Sequence, residues 1–246
     1  MRNSTFIIFS RFSALFLALI LLFSLTTVSA FAQEFRYDSP DEAKNLALDC
    51  LMTCGFAFEY GSGGTSSTAR NLVRWTDSIN IYAGGQPSSE DLKQLDDFIM
   101  EIALHSPNVP NIRRVSSASS ANIVISYCPL DQMGNYVTNY VEGNWGYFYF
   151  WYDGSGSIYK AELAIASDVN TQESKNHLMK EELIGALGLS NDQLVYSDSI
   201  LYGEWTTTQE LSDVDWLMLN MLYDPDLPLF ASHSYAYNVL SSKIRA

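Results

Sequence analysis

Histidine, cysteine and basic residues are scarce in this chain of 246 residues, which has three His, three Cys and 14 Lys and Arg against 28 Asp and Glu. So few His and Cys exclude a metal-rich protein and a disulfide-dense scaffold. The formal net charge of −14 excludes an open nucleic-acid-binding surface, which needs clustered basic residues. The hydrophobic content of 47% is enough for a buried core, so the chain is not a disordered acidic tail.

The first 32 residues have the pattern of a secretory signal peptide. Arg2 and Arg11 are their only charges, an apolar run follows, and Ala30-Phe31-Ala32 matches a signal-peptidase site. The alternative is an uncleaved anchor, because residues 12–32 are uncharged and just long enough to span a bilayer. Cleavage removes two arginines and no acid, which takes the net charge from −14 to −16. We expect an exported protein, periplasmic or secreted, that has no membrane segment after cleavage.

The three cysteines leave two interpretations open. Cys50 and Cys54 lie four residues apart in a predicted helix, so they share a face, and one of them could form a disulfide with Cys128. Alternatively, all three are small buried apolar side chains. No Cys-x-x-Cys pair or Cys/His cluster indicates a structural zinc site.

Start signals and hydrophobic periodicity predict a mixed α+β protein. Helices are expected after the acid-rich starts at Pro40, Ser88 and Ser212, and the first of them should run to about Phe58. A further helix is expected over residues 172–187 and should end at Gly188. Strands are expected at residues 72–82 and 121–127, and residues 146–152 and 157–166 read as a β-hairpin. The Gly/Ser-rich stretch 61–67 is the best internal boundary.

The aromatic run at residues 145–152 also has two interpretations. Trp145, Tyr147, Tyr149 and Trp151 alternate along the strand and would share one face. Such a face could stack sugars or hold an extended peptide, but aromatic residues are common in strands, so ordinary sheet packing is the simpler explanation.

Residues 177–192 resemble the zinc-binding helix of zincin metalloproteases. These enzymes place two His at positions i and i+4 of one helix and a general-base Glu after the first, and metzincins add a turning Gly and a third His. On this pattern Glu182 matches the catalytic Glu and Gly188 the turning Gly. The three histidine positions are occupied by Glu181, Gly185 and Asn191.

The replacements remove the donors that zinc needs. Gly185 has no side chain, and Glu181 and Asn191 offer only oxygens, whereas a catalytic zinc needs three well-placed donors. His177 lies four residues before Glu181, so it either begins a displaced metal site or forms an ordinary helical pair. We therefore expect no cofactor.

The resemblance extends over about residues 72–225. Residues 198–202 resemble the matrixin Met-turn, with Leu201 in the place of the Met and Tyr202 after it, and residues 211–223 resemble the matrixin C-terminal helix. The strand–helix–strand–strand order upstream fits the metzincin N-terminal half. The resemblance implies a zincin-like single α+β domain, with a mixed twisted sheet, a long helix, an active-site-type helix and a C-terminal helix, preceded by an N-terminal helix.

A closer resemblance is to a bacterial family of exported proteins with no assigned activity, known as domain of unknown function 2927. Its hallmark combines Glu-Glu-Leu, Leu-Gly-Leu, Asn-Asp and Pro-Asp-Ser-Ile, and residues 181–183, 187–189, 191–192 and 198–200 match it. Gly185 departs from it where the family tends to carry Gln. The resemblance implies a degenerate zincin-like domain at residues 67–230, after a helix and linker at 33–66 and before a C-terminal tail at 231–246.

Three functions remain open. In the first, the chain is a non-catalytic module that binds a peptide or protein in the former active-site groove. The residues of this groove would be Glu181, Gly185, Asn191, Asp192, Asp198 and Tyr202. Alternatively, it is an unconventional hydrolase in which Glu182 and nearby carboxylates perform acid–base chemistry. In a third interpretation these residues have only a structural role: Glu182 bonds the backbone near the 198–202 turn, and Asn191 and Asp192 shape the loop after the helix. A calcium site formed by the side-chain oxygens of Glu181, Asn191, Asp192 and Asp198 is a weaker option. The oligomeric state cannot be read from the sequence.

Overall fold

The computed structural model describes residues 40–60, 68–169 and 171–245, which belong to one compact unit. The predicted signal peptide at residues 1–32 and the Gly/Ser-rich stretch 61–67 lie outside these residues. The described helices are α1 (Pro40–Cys54), α2 (Ser89–His105), α3 (Gln172–Ala186), α4 (Asp213–Leu222) and α5 (His233–Ile244). None of them combines the length and the apolar character that crossing a bilayer requires.

The strands of the described chain form a small pair and one larger sheet. They are β1 (Ala57–Phe58), β2 (Thr68–Ala69), β3 (Arg74–Trp75), β4 (Ile79–Gly85), β5 (Ile112–Arg114), β6 (Ile123–Cys128), β7 (Gly146–Tyr152) and β8 (Ser157–Ala166). Strands β1 and β2 pair antiparallel with each other. The larger sheet has the order β3-β8-β6-β4-β5 with every pair parallel, and β7 adds to β8 in the antiparallel direction.

Central strands of a parallel sheet are buried on both faces, and the sequence of β6 and β8 reflects this. Ile123 and Ile125 of β6 and Leu163 of β8 have no exposed surface. Helix α3 packs on β7 and β8 and on α2, whereas α1 packs on α4 and α5. The protein is therefore an α+β protein with a mostly parallel sheet and several helices.

Two predicted helix starts are confirmed by their caps. Ser88 and Ser212 each accept a hydrogen bond from the backbone three residues later, at Asp91 and Asp215. Both Asp carboxylates accept in return from the capping backbone N–H, which completes two capping boxes. The predicted hairpin is also confirmed, with Tyr147 opposite Ala164 in the register of β7 and β8.

Three expectations differ from the structure. Helix α1 ends at Cys54 rather than near Phe58, because residues 57–58 pair with 68–69 as strands. The strand expected at 72–82 is two strands, β3 and β4, interrupted at residues 76–78. The segment 231–246, expected as a tail, contains α5. Only Ala236, Leu240 and Ser241 of this helix are buried, so its hydrophobic pattern is weak.

The cysteines follow the second interpretation of the sequence. Cys50, Cys54 and Cys128 are all free and buried. Burial raises the pKa of Cys50 and of Cys128 to about 11, so neither is a thiolate at neutral pH. The thiol of Cys50 instead lies 3.8 Å from the side-chain oxygen of Gln193.

Candidate functional site

A groove of about 1220 Å³ lies between β7 and α3. Its other walls are formed by residues 58–60, 139–141, 143–145, 189–192 and 201–206. A cavity of this size can enclose several residues of a peptide or a small organic molecule. The predicted residues Glu181, Gly185, Asn191, Asp192 and Tyr202 all line it.

The end of α3 aims the following loop at this groove. Gly188 has a φ of 121°, a conformation that glycine adopts without strain, and an added Cβ would meet the carbonyl oxygen of Val73 at 2.6 Å. Two backbone carbonyls at the end of the helix have no partner within it. The Ala186 carbonyl accepts a hydrogen bond from Trp75 Nε1, and the Leu187 carbonyl accepts one from the Tyr223 hydroxyl. The chain therefore turns sharply and returns along the groove wall.

Glu181 and Glu182 both face the groove, although they are adjacent in the helix. Glu182 is only 9% exposed and accepts no hydrogen bond from any described residue. An added Cβ on Gly146 would lie 2.5 Å from Glu182 Oε1, so this carboxylate rests against the backbone of β7. Glu181 Oε2 lies 3.5 Å from His177 Nε2.

The carboxyl groups of the groove influence one another. Burial raises the pKa of Glu182 well above its usual range, and the charges of Glu181, Glu59 and Asp192 raise it further. Burial has the same effect on Glu181, with Asp192 and Glu59 adding to it. The pKa of Asp192 is raised to about 7, first by burial and then by Glu59. The groove thus holds protons that ordinary surface carboxyl groups would release.

His177 is buried beside these acids. Its Nδ1 lies 2.8 Å from the carbonyl oxygen of Thr208, to which it donates when the ring is neutral. Burial lowers the pKa of His177, and the bond to Thr208 opposes this only in part. A neutral ring turns its Nε2 lone pair toward Glu181.

The space beside Gly185, which has no side chain, is occupied by a residue of the edge strand β7. The ring of Phe148 from β7 occupies the space where a Cβ of Gly185 would stand. Phe148 stacks in turn on Phe150, with ring centroids 6.0 Å apart. In the described structure, position 185 therefore serves the packing of α3 against β7.

The turn at residues 198–202 is held by Asp215 of α4. Asp215 accepts from the Ser199 hydroxyl at 2.5 Å and from the Ile200 backbone N–H at 3.1 Å. Leu201 lines the groove, but Asp198 is exposed and does not. The interpretation that Glu182 bonds this turn is therefore wrong, because the buried carboxylate of Asp215 accepts the hydrogen bonds that the turn donates.

Aromatic side chains form much of the groove wall. The aromatic residues that line the groove are Phe58, Tyr60, Tyr140, Trp145, Tyr147, Phe148, Tyr149, Phe150, Tyr152, Tyr202 and Trp205. Trp145 and Trp205 are 39% and 60% exposed, and their rings meet edge to face with centroids 5.4 Å apart. Tyr147 is buried in a cluster with Cys128 and Met133, so part of the aromatic run does pack as ordinary core.

Several groove residues were not predicted from the sequence. Glu59 and Tyr60 precede the Gly/Ser-rich stretch, and they reach the groove because the Glu59 backbone N–H donates to the Ser190 carbonyl at 3.0 Å. Trp205 and Thr206 follow the 198–202 turn in a segment without helix or strand. A pattern of acid and aromatic residues at both places was the available signal, but only the fold joins them.

No group of three or more His, Cys, Asp or Glu among the described residues has an arrangement suited to hold a metal ion. Asp198, one of the four residues considered as calcium ligands, does not line the groove. Asn191 is turned toward α1, with its side-chain nitrogen 3.4 Å from the Thr53 carbonyl oxygen.

These features define an α+β protein with an acidic, aromatic-walled groove between an edge strand and a central helix. The family model described as "Protein of unknown function (DUF2927)" matches residues 49–229. The chain belongs to this family, and the match begins within α1. No curated protein matches the chain.

Proposed function

We propose that this protein is a non-catalytic binding module with a zincin-like fold that has lost its zinc ligands. In this proposal the former active-site groove holds an extended peptide or a segment of a partner protein. The observation that carries it is the open groove itself, whose buried Glu182 has no partner in the described structure. Residues kept only for structure are normally satisfied within the fold.

The arrangement of the elements supports the zincin-like part of the proposal. Helix α3 carries the zinc-helix pattern and ends at a turning Gly188, and the 198–202 turn and α4 follow it. The positions of the three histidines are held by Glu181, Gly185 and Asn191. Phe148 fills the space beside Gly185, so a ligand there would first have to displace an aromatic ring.

The edge strand supports a peptide as the ligand. Among the described residues β7 pairs only with β8, so its other edge offers unpaired backbone donors and acceptors beside the groove. An extended peptide can add to such an edge as a further strand while its side chains enter the adjacent pocket.

Binding can be tested with residues 33–246 and an array of extended peptides, followed by titration of the peptides that bind. We expect Trp205→Ala to weaken binding at least about tenfold, because exposed aromatic residues in grooves are frequent binding hot spots. Tyr159→Ala is the control, since Tyr159 is 55% exposed but lies outside the groove. Equal effects of the two substitutions would contradict the proposed site.

The loss of zinc can be tested separately by metal analysis. We expect no stoichiometric zinc in protein purified from zinc-supplemented medium. One zinc per chain that is lost on His177→Ala would overturn the proposal and would make the His177–Glu181 pair a displaced metal site.

A second candidate, an unconventional hydrolase, is favoured by one observation. Glu182 lies in a groove with a pKa raised well above its usual range, as is typical of a general acid. If this function is correct, Glu182→Gln abolishes a peptidase or glycosidase activity of the wild-type protein. A substitution that changes only the melting temperature would exclude it.

We also propose that residues 1–32 direct export and are removed. N-terminal sequencing of the protein from the periplasm or medium should then begin at Gln33. Protein that stays in the membrane fraction with Met1 intact would support the uncleaved anchor.

A further inference from the structure

We infer that the groove receives a basic side chain of its peptide, a lysine ammonium or an arginine guanidinium, between the carboxyl groups of Glu59, Glu181, Glu182 and Asp192. The inference rests on the proposed peptide-binding function and names the class of ligand.

The groove has an excess of acids without an internal counter-charge. Besides these four acids, Glu204 lines it, but no lysine or arginine of the described chain does. None of Glu59, Glu182 and Asp192 forms an ion pair within the described residues. Elsewhere the acids of this chain do find partners, as Asp91 does with Lys175 at 2.9 Å. The groove therefore lacks the cation that its charges would favour.

Two polar side chains that line the groove have no hydrogen-bond partner in the described structure. Glu182 is nine-tenths buried without a hydrogen-bond donor. The hydroxyl oxygen of Thr206 is buried and has no hydrogen-bond partner in the described structure. Both residues line the groove. An ammonium group carries hydrogen-bond donors that an unpaired carboxylate or hydroxyl oxygen can accept.

The aromatic wall suits an organic cation. Trp145, Tyr147 and Trp205 line the groove beside the acids, and the faces of such rings attract ammonium and guanidinium groups. The protein already uses this contact, because Lys160 Nζ lies 4.2 Å from the ring centroid of Trp151. The wall also contacts the aliphatic stem of a long basic side chain, which a bare metal ion lacks.

A bound cation would change the protonation of the groove. The pKa of Asp192 is about 7 and that of Glu182 is raised well above its usual range, so these carboxyl groups hold protons up to a higher pH than surface carboxyl groups do. A cation favours the ionised form of neighbouring carboxyl groups. Binding of a lysine side chain therefore releases protons, whereas binding of a neutral side chain of equal length does not.

The experiment uses residues 33–246 and blocked eight-residue peptides of alternating valine and serine that differ at one central residue, lysine, norleucine or glutamate. Isothermal titration at pH 7.5 gives the affinities, and repetition in two buffers of different ionisation enthalpy gives the protons released. We expect the lysine peptide to bind at least about tenfold more tightly than the norleucine peptide, and to release protons. The glutamate peptide should bind most weakly.

Matched variants locate the effect. Glu182→Gln should remove most of the preference for lysine, whereas Asp198→Asn, an exposed carboxylate outside the groove, should preserve it. A far-UV circular dichroism spectrum and a melting transition like those of the wild-type protein show that the Glu182→Gln variant still folds. Equal affinity for lysine and norleucine would overturn the inference while the peptide-binding function stands. Binding of none of the peptides would overturn both.

Discussion

Asp192 illustrates how the groove acids affect stability. Its pKa is about 7 in the folded protein but about 4 in an unfolded chain. Between these values the folded state binds more protons than the unfolded state, so this residue lowers the free energy of unfolding as the pH rises. The acids thus cost stability at neutral pH, which a ligand that neutralises them would restore.

We predict that Asp192→Asn raises the free energy of unfolding by about 1–3 kcal/mol at pH 7.5, with a gain that shrinks toward pH 4. Melting temperatures between pH 4 and pH 8 would measure it. Asp198→Asn serves as the control, because that side chain is exposed and lies outside the groove. A gain that is independent of pH would contradict the assignment to ionisation.

Asp215 is the buried acid with a structural role. It caps α4 and accepts from Ser199 and Ile200 of the turn. We predict that Asp215→Ala costs about 2–4 kcal/mol, because several buried donors lose their acceptor. Urea unfolding measures this cost. The exposed Asp213 in the same helical turn gives the comparison, and a similar loss for Asp213→Ala would contradict the prediction.

At the scale of single residues, the sequence predicted part of the groove. Glu181 and Glu182 could be recognised because the resemblance to the zincin helix singles out their positions, and Asp192 because residues 191–192 match the Asn-Asp of the family hallmark. The residue that accepts the hydrogen bonds of the 198–202 turn could not be recognised from the sequence. The spacing allows both Glu182 and Asp215 as acceptors, and only the packing of the fold decides between them. Glu59 was missed since it reaches the groove through contacts that are distant in sequence.

At the scale of elements, the contact between β7 and α3 couples two unusual positions. Phe148 occupies the space that any side chain at Gly185 would need. Alanine normally stabilises a helix by about 1 kcal/mol relative to glycine. Here we predict that Gly185→Ala destabilises the protein by about 1–3 kcal/mol, because the core becomes overpacked.

A double-mutant cycle with Phe148→Leu tests this coupling through unfolding free energies. The smaller side chain should relieve the clash, so that Gly185→Ala costs less in the Phe148→Leu background. Additive effects of the two substitutions would show that the positions do not interact.

Strong local signals made most elements predictable. Capping boxes define the starts of α2 and α4, and the hairpin of β7 and β8 follows from two apolar runs around a Gly-rich turn. Helix α5 was not predicted, because only a few of its residues are buried and its hydrophobic pattern is weak. The pairing of β1 with β2 could not be expected from strands of two residues, since tertiary contacts alone hold them.

At the scale of the whole molecule, α1 is part of the core. Leu51 has no exposed surface, and α1 packs on α4 and α5. We predict that Leu51→Ala costs about 2–5 kcal/mol and shifts one cooperative transition, as in a single core. Circular dichroism and tryptophan fluorescence during denaturation should coincide. Leu104→Ala, at a position 74% exposed, is the control, and a separate early transition for Leu51→Ala would place α1 outside the core.

The unpaired edge of β7 has a consequence for self-association. An open strand edge normally invites the same strand of another copy, which is how sheets begin to polymerise. Here an approaching copy would bring a second chain with a formal net charge of −14. Like charges oppose such pairing. The acidity that suits the groove to a basic peptide therefore also protects the protein from aggregating with itself, and this protection weakens as the pH approaches the sequence pI of about 4.4.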